Sequence, residues 1–202
     1  PPQPRGGPMW NAMILPYAAG PMALSGFVWY QGEADTATTA TAALYRCTFP
    51  KMIGAWRDAF RQPTAFFGFV QLSTWCGGGE LAEALPAMRD AQMGAAALHG
   101  VAYATNADHG MGCAIHPAFK RPVAERLATA ALAVRYNESV RWRSPRYVTA
   151  EQTTPQAEGT VTVEISLRDV SPAGLPMRRA FTDLSPGRGA GGPQPRHRAG
   201  ST

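Results

Sequence analysis

The sequence contains little charge and almost no lysine. Charged residues make up 16% of the 202 residues, and only Lys51 and Lys120 among the 19 basic residues are lysines. The formal charge of +5 is unevenly placed, because residues 171–202 carry five arginines against one aspartate. A basic tail without interleaved aromatic residues does not form the basic face that nucleic acids require, so no nucleic-acid partner is expected.

The sequence also lacks the patterns of metal, nucleotide and membrane proteins. Its three cysteines, Cys47, Cys76 and Cys113, match no zinc-ligand spacing and allow at most one internal disulfide, leaving the redox compartment open. No cluster of histidines and carboxylates and no phosphate-binding loop is present, so neither a metal nor a cofactor is expected. No apolar run approaches the ~20 residues of a membrane span, so no membrane partner is expected.

Three apolar segments alternate with helical patterns. Residues 24–30 and 65–72 are apolar on both faces, which predicts buried parallel strands, and residues 101–105 predict a third, shorter strand. The helical patterns cover residues 37–60, 81–98 and 123–136, and Pro50 is expected to separate two helices or to open the second one. The alternation predicts an α/β fold with a parallel sheet.

The sequence divides into four expected regions. Residues 1–8 predict a loop, and residues 9–145 predict the α/β domain. Residues 146–184 predict a β-containing segment, in which residues 159–167 alternate apolar and polar residues as an antiparallel strand does. Residues 185–202 are rich in Pro, Gly and Arg and predict a disordered tail.

Polar residues follow each predicted strand of the α/β domain. These groups are residues 31–33 (QGE), residues 71–73 (QLS), and residues 106–108 (NAD) with His116 shortly after. In parallel α/β sheets, ligands bind beyond the carboxyl ends of the strands. The sequence therefore predicts that these three groups converge on one edge of the sheet.

Four of these residues have side chains suited to acyl-transfer chemistry. His116 is the candidate general base, with His109 as a competitor. Asp108 is either the acid that orients this histidine or an ordinary turn residue. The Gln31 amide is a candidate donor to a developing oxyanion, or a plain loop residue. Glu33 either positions a neighbouring group or caps the helix that follows.

Several segments, taken in order, resemble the sialate O-acetylesterase family. They are residues 10–14 (WNAMI), 26–33 (GFVWYQGE), 47–50 (CTFP), 56–57 (WR), 69–72 (FVQL), 89–92 (RDAQ), 115–117 (IHP) with Lys120, and 125–128 (ERLA). The order and approximate spacing extend over residues 9–136, about two thirds of the chain. The resemblance implies an SGNH-hydrolase fold, a flavodoxin-like three-layer α/β/α sandwich, which in this chain is expected to be incomplete at its N-terminal side.

The resemblance also implies a reaction. Enzymes of this family use a serine to hydrolyse acetyl esters on sialic acids or related acetylated sugars. By position, His116 corresponds to the family's base and Gln31 to its oxyanion donor, while Glu33 belongs to the same block as Gln31. The resemblance further implies a lysosomal or secreted protein, in which the sequon at Asn137 would carry a glycan.

The sequence departs from the family pattern at two points. The family nucleophile lies in a Gly-Gln-Ser-Asn block upstream of the WYQGE block, and no serine here follows Gly-Gln. Ser25 is expected to pack inside the first strand and Ser73 to end the second, so neither is a good replacement. Many relatives have a carboxylate two or three residues before the histidine, where this chain has Cys113 and Ala114.

These departures predict that the 202 residues alone are inactive. The alternative is a non-catalytic, carbohydrate-binding relative that uses the same pocket. In that case aromatic side chains would stack on the sugar, and the candidates are Trp10, Trp29, Tyr30 and Trp75.

Overall fold

The fold is seen in a computed structural model, which describes residues 7–20, 22–76, 81–153 and 161–170. The predicted tail at 185–202 and most of the predicted loop at 1–8 lie outside these residues. The described elements are a π-helical turn (Trp10–Ile14), α1 (Leu15–Ala19), β1 (Gly26–Trp29), a 3₁₀ helix (Glu33–Thr36), α2 (Thr39–Ala59), β2 (Phe66–Gln71), α3 (Leu81–Gln92), a second 3₁₀ helix (Met93–Ala97), β3 (Val101–Thr105), α4 (Arg121–Val134), β4 (Arg146–Thr153) and β5 (Thr162–Arg168). Among them, no helix has the length and apolar character needed to cross a membrane.

The first three strands form a parallel sheet in the order β1-β2-β3. Successive side chains of a strand point to opposite faces, and β2 uses both faces. Phe67 and Phe69 contact Phe49 of α2, with ring centroids 5.9 and 5.2 Å apart. Val70, on the other face, packs with Leu127 of α4. The sheet therefore lies between two helical layers, as the predicted α/β/α sandwich requires.

Helix α2 runs without a break through Pro50, so the predicted division into two helices is wrong. A proline inside a helix removes one backbone hydrogen bond and costs about 3 kcal/mol. Tyr45, Phe49 and Ile53 are buried on both sides of the proline and occupy one face of the helix. Burial of this shared face offsets the cost of the missing bond, which local sequence rules do not anticipate.

Strand β1 is shorter and more exposed than expected. It begins at Gly26, so the prediction that Ser25 packs inside the strand is wrong, and Ser25 is exposed just before it. Val28 is 68% exposed, so the prediction that both faces of this strand are buried is also wrong. Val28 is exposed because α4 packs on β2 and β3, whereas β1 pairs only with β2 in the described sheet.

Strands β4 and β5 form a separate antiparallel pair, which agrees with the alternating pattern of the sequence there. The chain divides between Ser144 and Pro145 into two compact units, and this hairpin belongs to the second. The apolar side chains of β5, such as Val163 and Ile165, are exposed.

Candidate active site

The structure brings the end of β1 together with the segment that carries His116. Tyr30, directly after β1, accepts a hydrogen bond on its hydroxyl from the buried amide of Asn106 at the end of β3, at 3.0 Å. The Lys120 ammonium lies 4.5 Å from the centre of the Tyr30 ring. Gln31 adjoins Tyr30, and His116 precedes Lys120 by four residues. The polar groups after β1 and β3 therefore meet at one sheet edge, as predicted for parallel strands.

Gln31 is held by hydrogen bonds on both ends of its amide. Its Nε2 donates to Oδ2 of Asp35 at 2.9 Å, and its Oε1 accepts from the Tyr45 hydroxyl at 2.8 Å. Burial raises the pKa of Tyr45 to about 12, so this hydroxyl stays protonated and remains a donor. An amide nitrogen has two hydrogens, and one of them remains for a further acceptor.

Gln92 joins the exits of β1 and β2. Its side chain is fully buried, and its Nε2 donates to the carbonyls of Gln31 (3.2 Å) and Val70 (3.1 Å). Its Oε1 accepts from the backbone N–H of Leu72 at 3.1 Å. This residue fixes the backbone beside Gln31, a role that the sequence patterns did not reveal, although Gln92 lies in one of the family-like segments.

Glu33 begins the 3₁₀ helix after Gly32 and is partly exposed. It does not cap α2, because Thr38 and Thr41 form that cap through reciprocal hydrogen bonds. Burial raises the pKa of Tyr30, the Asn106 hydrogen bond opposes the rise, and the charge of Glu33 adds a smaller one. Glu33 thus lies near enough to Tyr30 to influence it electrostatically.

The structure does not bring Asp108 to His116. Both carboxylate oxygens of Asp108 accept from Arg126 of α4 at 2.7 Å, and Arg126 also donates to the carbonyl of Thr105 at 2.7 Å. His109 Nε2 lies 3.6 Å from Asp108 Oδ2. His116 is exposed and forms no hydrogen bond or ion pair with another described residue. The Asp108–Arg126 pair instead fastens the loop after β3 to α4.

This pair predicts a pH-dependent contribution to stability. Hydrogen bonds from Arg126 lower the pKa of Asp108 to about 2, below its usual value near 4. A lowered folded-state pKa stabilises the fold fully above about pH 4, and this stabilisation is lost as the pH falls towards 2. Asp108→Asn is therefore expected to lower the free energy of unfolding by about 0.5–1 kcal/mol at pH 7, because both partners are partly exposed. The difference in unfolding midpoint from the unsubstituted protein should shrink between pH 4 and pH 2.

Asp90→Asn is a matched control for that measurement. Asp90 pairs with Arg46, but its carboxylate is 75% exposed, so a smaller effect is expected at every pH. An Asp108→Asn difference that is equally large at pH 2 and pH 7 would contradict the ion-pair explanation.

A disulfide joins the loop after β2 to the loop that carries His116. Cys76 and Cys113 are bonded across 37 residues, and Cys47 is a free, exposed thiol. The two loops also touch at Gly110, where a Cβ atom would lie 1.7 Å from Thr74 Oγ1. Cysteine spacing alone left the pairing open, although both bonded cysteines follow predicted strands of the same sheet.

The two serines considered as replacement nucleophiles are poorly placed. Ser25 lies at the amino end of β1, opposite the edge that holds Gln31. Ser73 lies at the correct edge but is only 4% exposed. Neither position supports attack on a bulky ester.

The aromatic residues near the site belong largely to the core. Trp29, Tyr30 and Trp75 are partly buried against the main apolar cluster, and Trp10 packs edge-on against Trp56. A cavity of about 200 Å³ lies beside Gln31, and of these four aromatic residues Trp29 alone lines it; its lining residues are Trp29, Gln31, Asp35, Tyr45, Thr48, Phe49 and Met52. In the part of the chain that the structure describes, no cluster of three metal-ligating side chains occurs.

A parallel sheet between helical layers, with polar side chains at its carboxyl edge, defines the class of α/β proteins that bind ligands at that edge. Comparison with known sequences gives the particular family. The profile of the carbohydrate esterase, sialic acid-specific acetylesterase family matches residues 3–133. The chain therefore belongs to this family, and its fold is of the SGNH-hydrolase type.

Individual relatives agree with this assignment. The sialate O-acetylesterases of Homo sapiens and Mus musculus are 45% identical over 73 and 74 residues, which is 33% of this chain and 13% of each relative. A carbohydrate acetylesterase structure from Xanthomonas citri superposes with a TM-score of 0.66 at 32% identity. That match covers 80% of this chain and 36% of the other, so the chain spans only a fraction of the relatives' length.

Proposed function

We propose that the protein containing this chain hydrolyses O-acetyl esters of sialic acids or related acetylated sugars by serine-esterase chemistry. The observation that carries the proposal is the meeting of the Tyr30–Gln31 segment with the His116–Lys120 segment. Asn106 and Lys120 both contact Tyr30 there, within the region that matches the family. A candidate oxyanion donor and a candidate base thus share one edge of the sheet.

His116 is the general base in the proposed mechanism. It takes the proton of the attacking serine hydroxyl and then gives it to the departing sugar oxygen. The remaining amide hydrogen of Gln31 donates to the oxyanion of the tetrahedral intermediate. Water, activated by the same histidine, then releases acetate from the serine.

Asp108 and Glu33 have supporting roles in this proposal. Because both oxygens of Asp108 are bound to Arg126, Asp108 anchors the loop that precedes His116. Glu33 follows Gln31 by two residues and carries its charge near Tyr30. We assign it to the positioning of the Tyr30–Gln31 turn.

The 202 residues alone are expected to be inactive, because they contain no Gly-Gln-Ser-Asn block. A chromogenic acetyl ester such as 4-nitrophenyl acetate should be cleaved by this chain no faster than by buffer with an inert protein. A longer protein that places such a serine upstream should cleave it. Turnover by the 202 residues that is abolished by His116→Ala would show that they contain a working nucleophile. Binding of acetylated sugars by the longer protein without hydrolysis would favour the non-catalytic alternative.

We also propose that the protein functions in a lysosomal or secreted setting. The Cys76–Cys113 disulfide is of the kind that persists in oxidising compartments. The sequon at Asn137 is exposed just after α4, as a glycosylated asparagine has to be. Both features support this setting.

A further inference from the structure

Lys120 has a fixed place at the candidate active site. Its ammonium lies 4.5 Å from the Tyr30 ring centre, within the range of a cation–π contact. The Tyr30 ring is itself held by the Asn106 hydrogen bond at 3.0 Å. His116 lies four residues before Lys120, a separation of at most about 14 Å along the chain.

The other cations around this edge each donate to an oxygen atom of the protein. Arg126 binds Asp108 and the Thr105 carbonyl. Arg89 donates to the carbonyls of Leu72 (2.8 Å) and Ser73 (3.0 Å). Arg121, next to Lys120 in the chain, pairs with Glu125 at 2.7 Å.

Lys120 differs from these arginines because no oxygen atom of a described residue binds its charged group. Its ammonium group forms no ion pair or hydrogen bond with any residue in the described part of the chain, and the residue is exposed. An ammonium group has three donors, and the Tyr30 ring supplies no hydrogen-bond acceptor atom in its face. The three ammonium donors of Lys120 are therefore available to a ligand that binds beside Tyr30, where the charge of Glu33 also acts.

We propose that Lys120 is a specificity-determining residue that binds the carboxylate of an acidic sugar. The inference rests on the proposed function and deepens it, because a sialic acid carries a carboxylate whereas most acetylated sugars are neutral. A single ammonium suits one carboxylate oxygen as a point charge, and Tyr30 fixes its position. The chain is thereby selective for acidic over neutral acetylated sugars.

Equilibrium binding tests this assignment without a need for catalysis. The probes are N-acetylneuraminic acid and its methyl ester, which differ in the charge of the carboxyl group. The chain is expected to bind the acid about 5- to 10-fold more tightly than the ester at low salt, and this preference should disappear in Lys120→Met and Lys120→Gln. NMR titrations at about 20 mM and about 500 mM NaCl measure the preference and its dependence on salt. Exposed charges interact strongly at the lower concentration and are largely screened at the higher one.

Lys51→Met is the matched control, because Lys51 is the other lysine and lies exposed on α2. It should keep the full preference, and Lys120→Arg should keep most of it. Equal binding of acid and ester by the unsubstituted chain, no measurable binding of the acid, or a preference that survives Lys120→Met would each overturn the proposal. Hydrolysis assays distinguish this proposal from the proposed function. An esterase that cleaves acidic and neutral acetylated sugars equally well would support the proposed function and refute only the role of Lys120.

Discussion

Replacement of His116 by alanine is expected to lower kcat/KM for an acetyl ester by about 10⁴-fold or more in the esterase that contains this chain. Without the imidazole, no group removes the serine proton or protonates the leaving oxygen. His116 is exposed and forms no hydrogen bond with another described residue, so its removal should leave stability nearly unchanged. Initial rates with 4-nitrophenyl acetate, together with the thermal midpoint, separate loss of catalysis from loss of fold.

His109→Ala is the control for this prediction, because His109 is the competing histidine of the same loop. It lies 3.6 Å from Asp108 and is expected to change kcat/KM by only a few-fold. Added imidazole should restore part of the activity of His116→Ala, which a purely structural defect would not allow. If His109→Ala caused the larger loss, the base would be His109 and the assignment of His116 would be wrong.

The sequence predicted best the strand that is covered on both of its faces. Strand β2 is apolar and buried from Phe66 to Val70 between two helical layers, and it forms within one residue of the predicted ends. Strand β1 has the same apolar pattern, yet Val28 is exposed because the burial of a strand depends on which neighbours cover it. At Pro50 the sequence predicted a division between two helices. The helix is continuous there, because the packing of Phe49 and Ile53 outweighs the local preference of proline.

The ends of the strands were more predictable than the contacts between them. Strand ends follow from periodicity, so the sequence could place Gln31 after β1 and His116 after β3. Pairings between distant segments do not follow from periodicity. Arg126 reaches Asp108 across 18 residues, and Gln92 reaches Gln31 across 61. Asp108 was therefore chosen as the candidate triad acid because it lies close to His116 in the sequence. In the structure, Arg126 of α4 binds this carboxylate instead.

Loss of the Cys76–Cys113 bond is expected to lower the free energy of unfolding by about 2–4 kcal/mol, because the bond closes a long loop and restricts the unfolded chain. Cys113→Ala and Cys76→Ala should give the same loss, and so should reduction of the unsubstituted protein. Both cysteines are exposed, so a thiol reductant can reach the bond. Urea unfolding with and without dithiothreitol measures the difference.

Cys47→Ala is the matched control, because Cys47 is the free, exposed cysteine, and its replacement should change stability by less than about 0.5 kcal/mol. The bond should also matter for catalysis, since Cys113 precedes His116 by three residues and most side chains from 111 to 116 are exposed. The buried Pro117 still holds the chain directly after the histidine once the bond is cut, but the segment before it loses its anchor, so the histidine would sample more positions relative to Gln31. Reduction should then lower kcat in the active esterase under conditions where the protein stays folded. Unchanged kcat in the folded, reduced enzyme would mean that the Asp108–Arg126 pair and the Gly110 contact with Thr74 suffice to position His116.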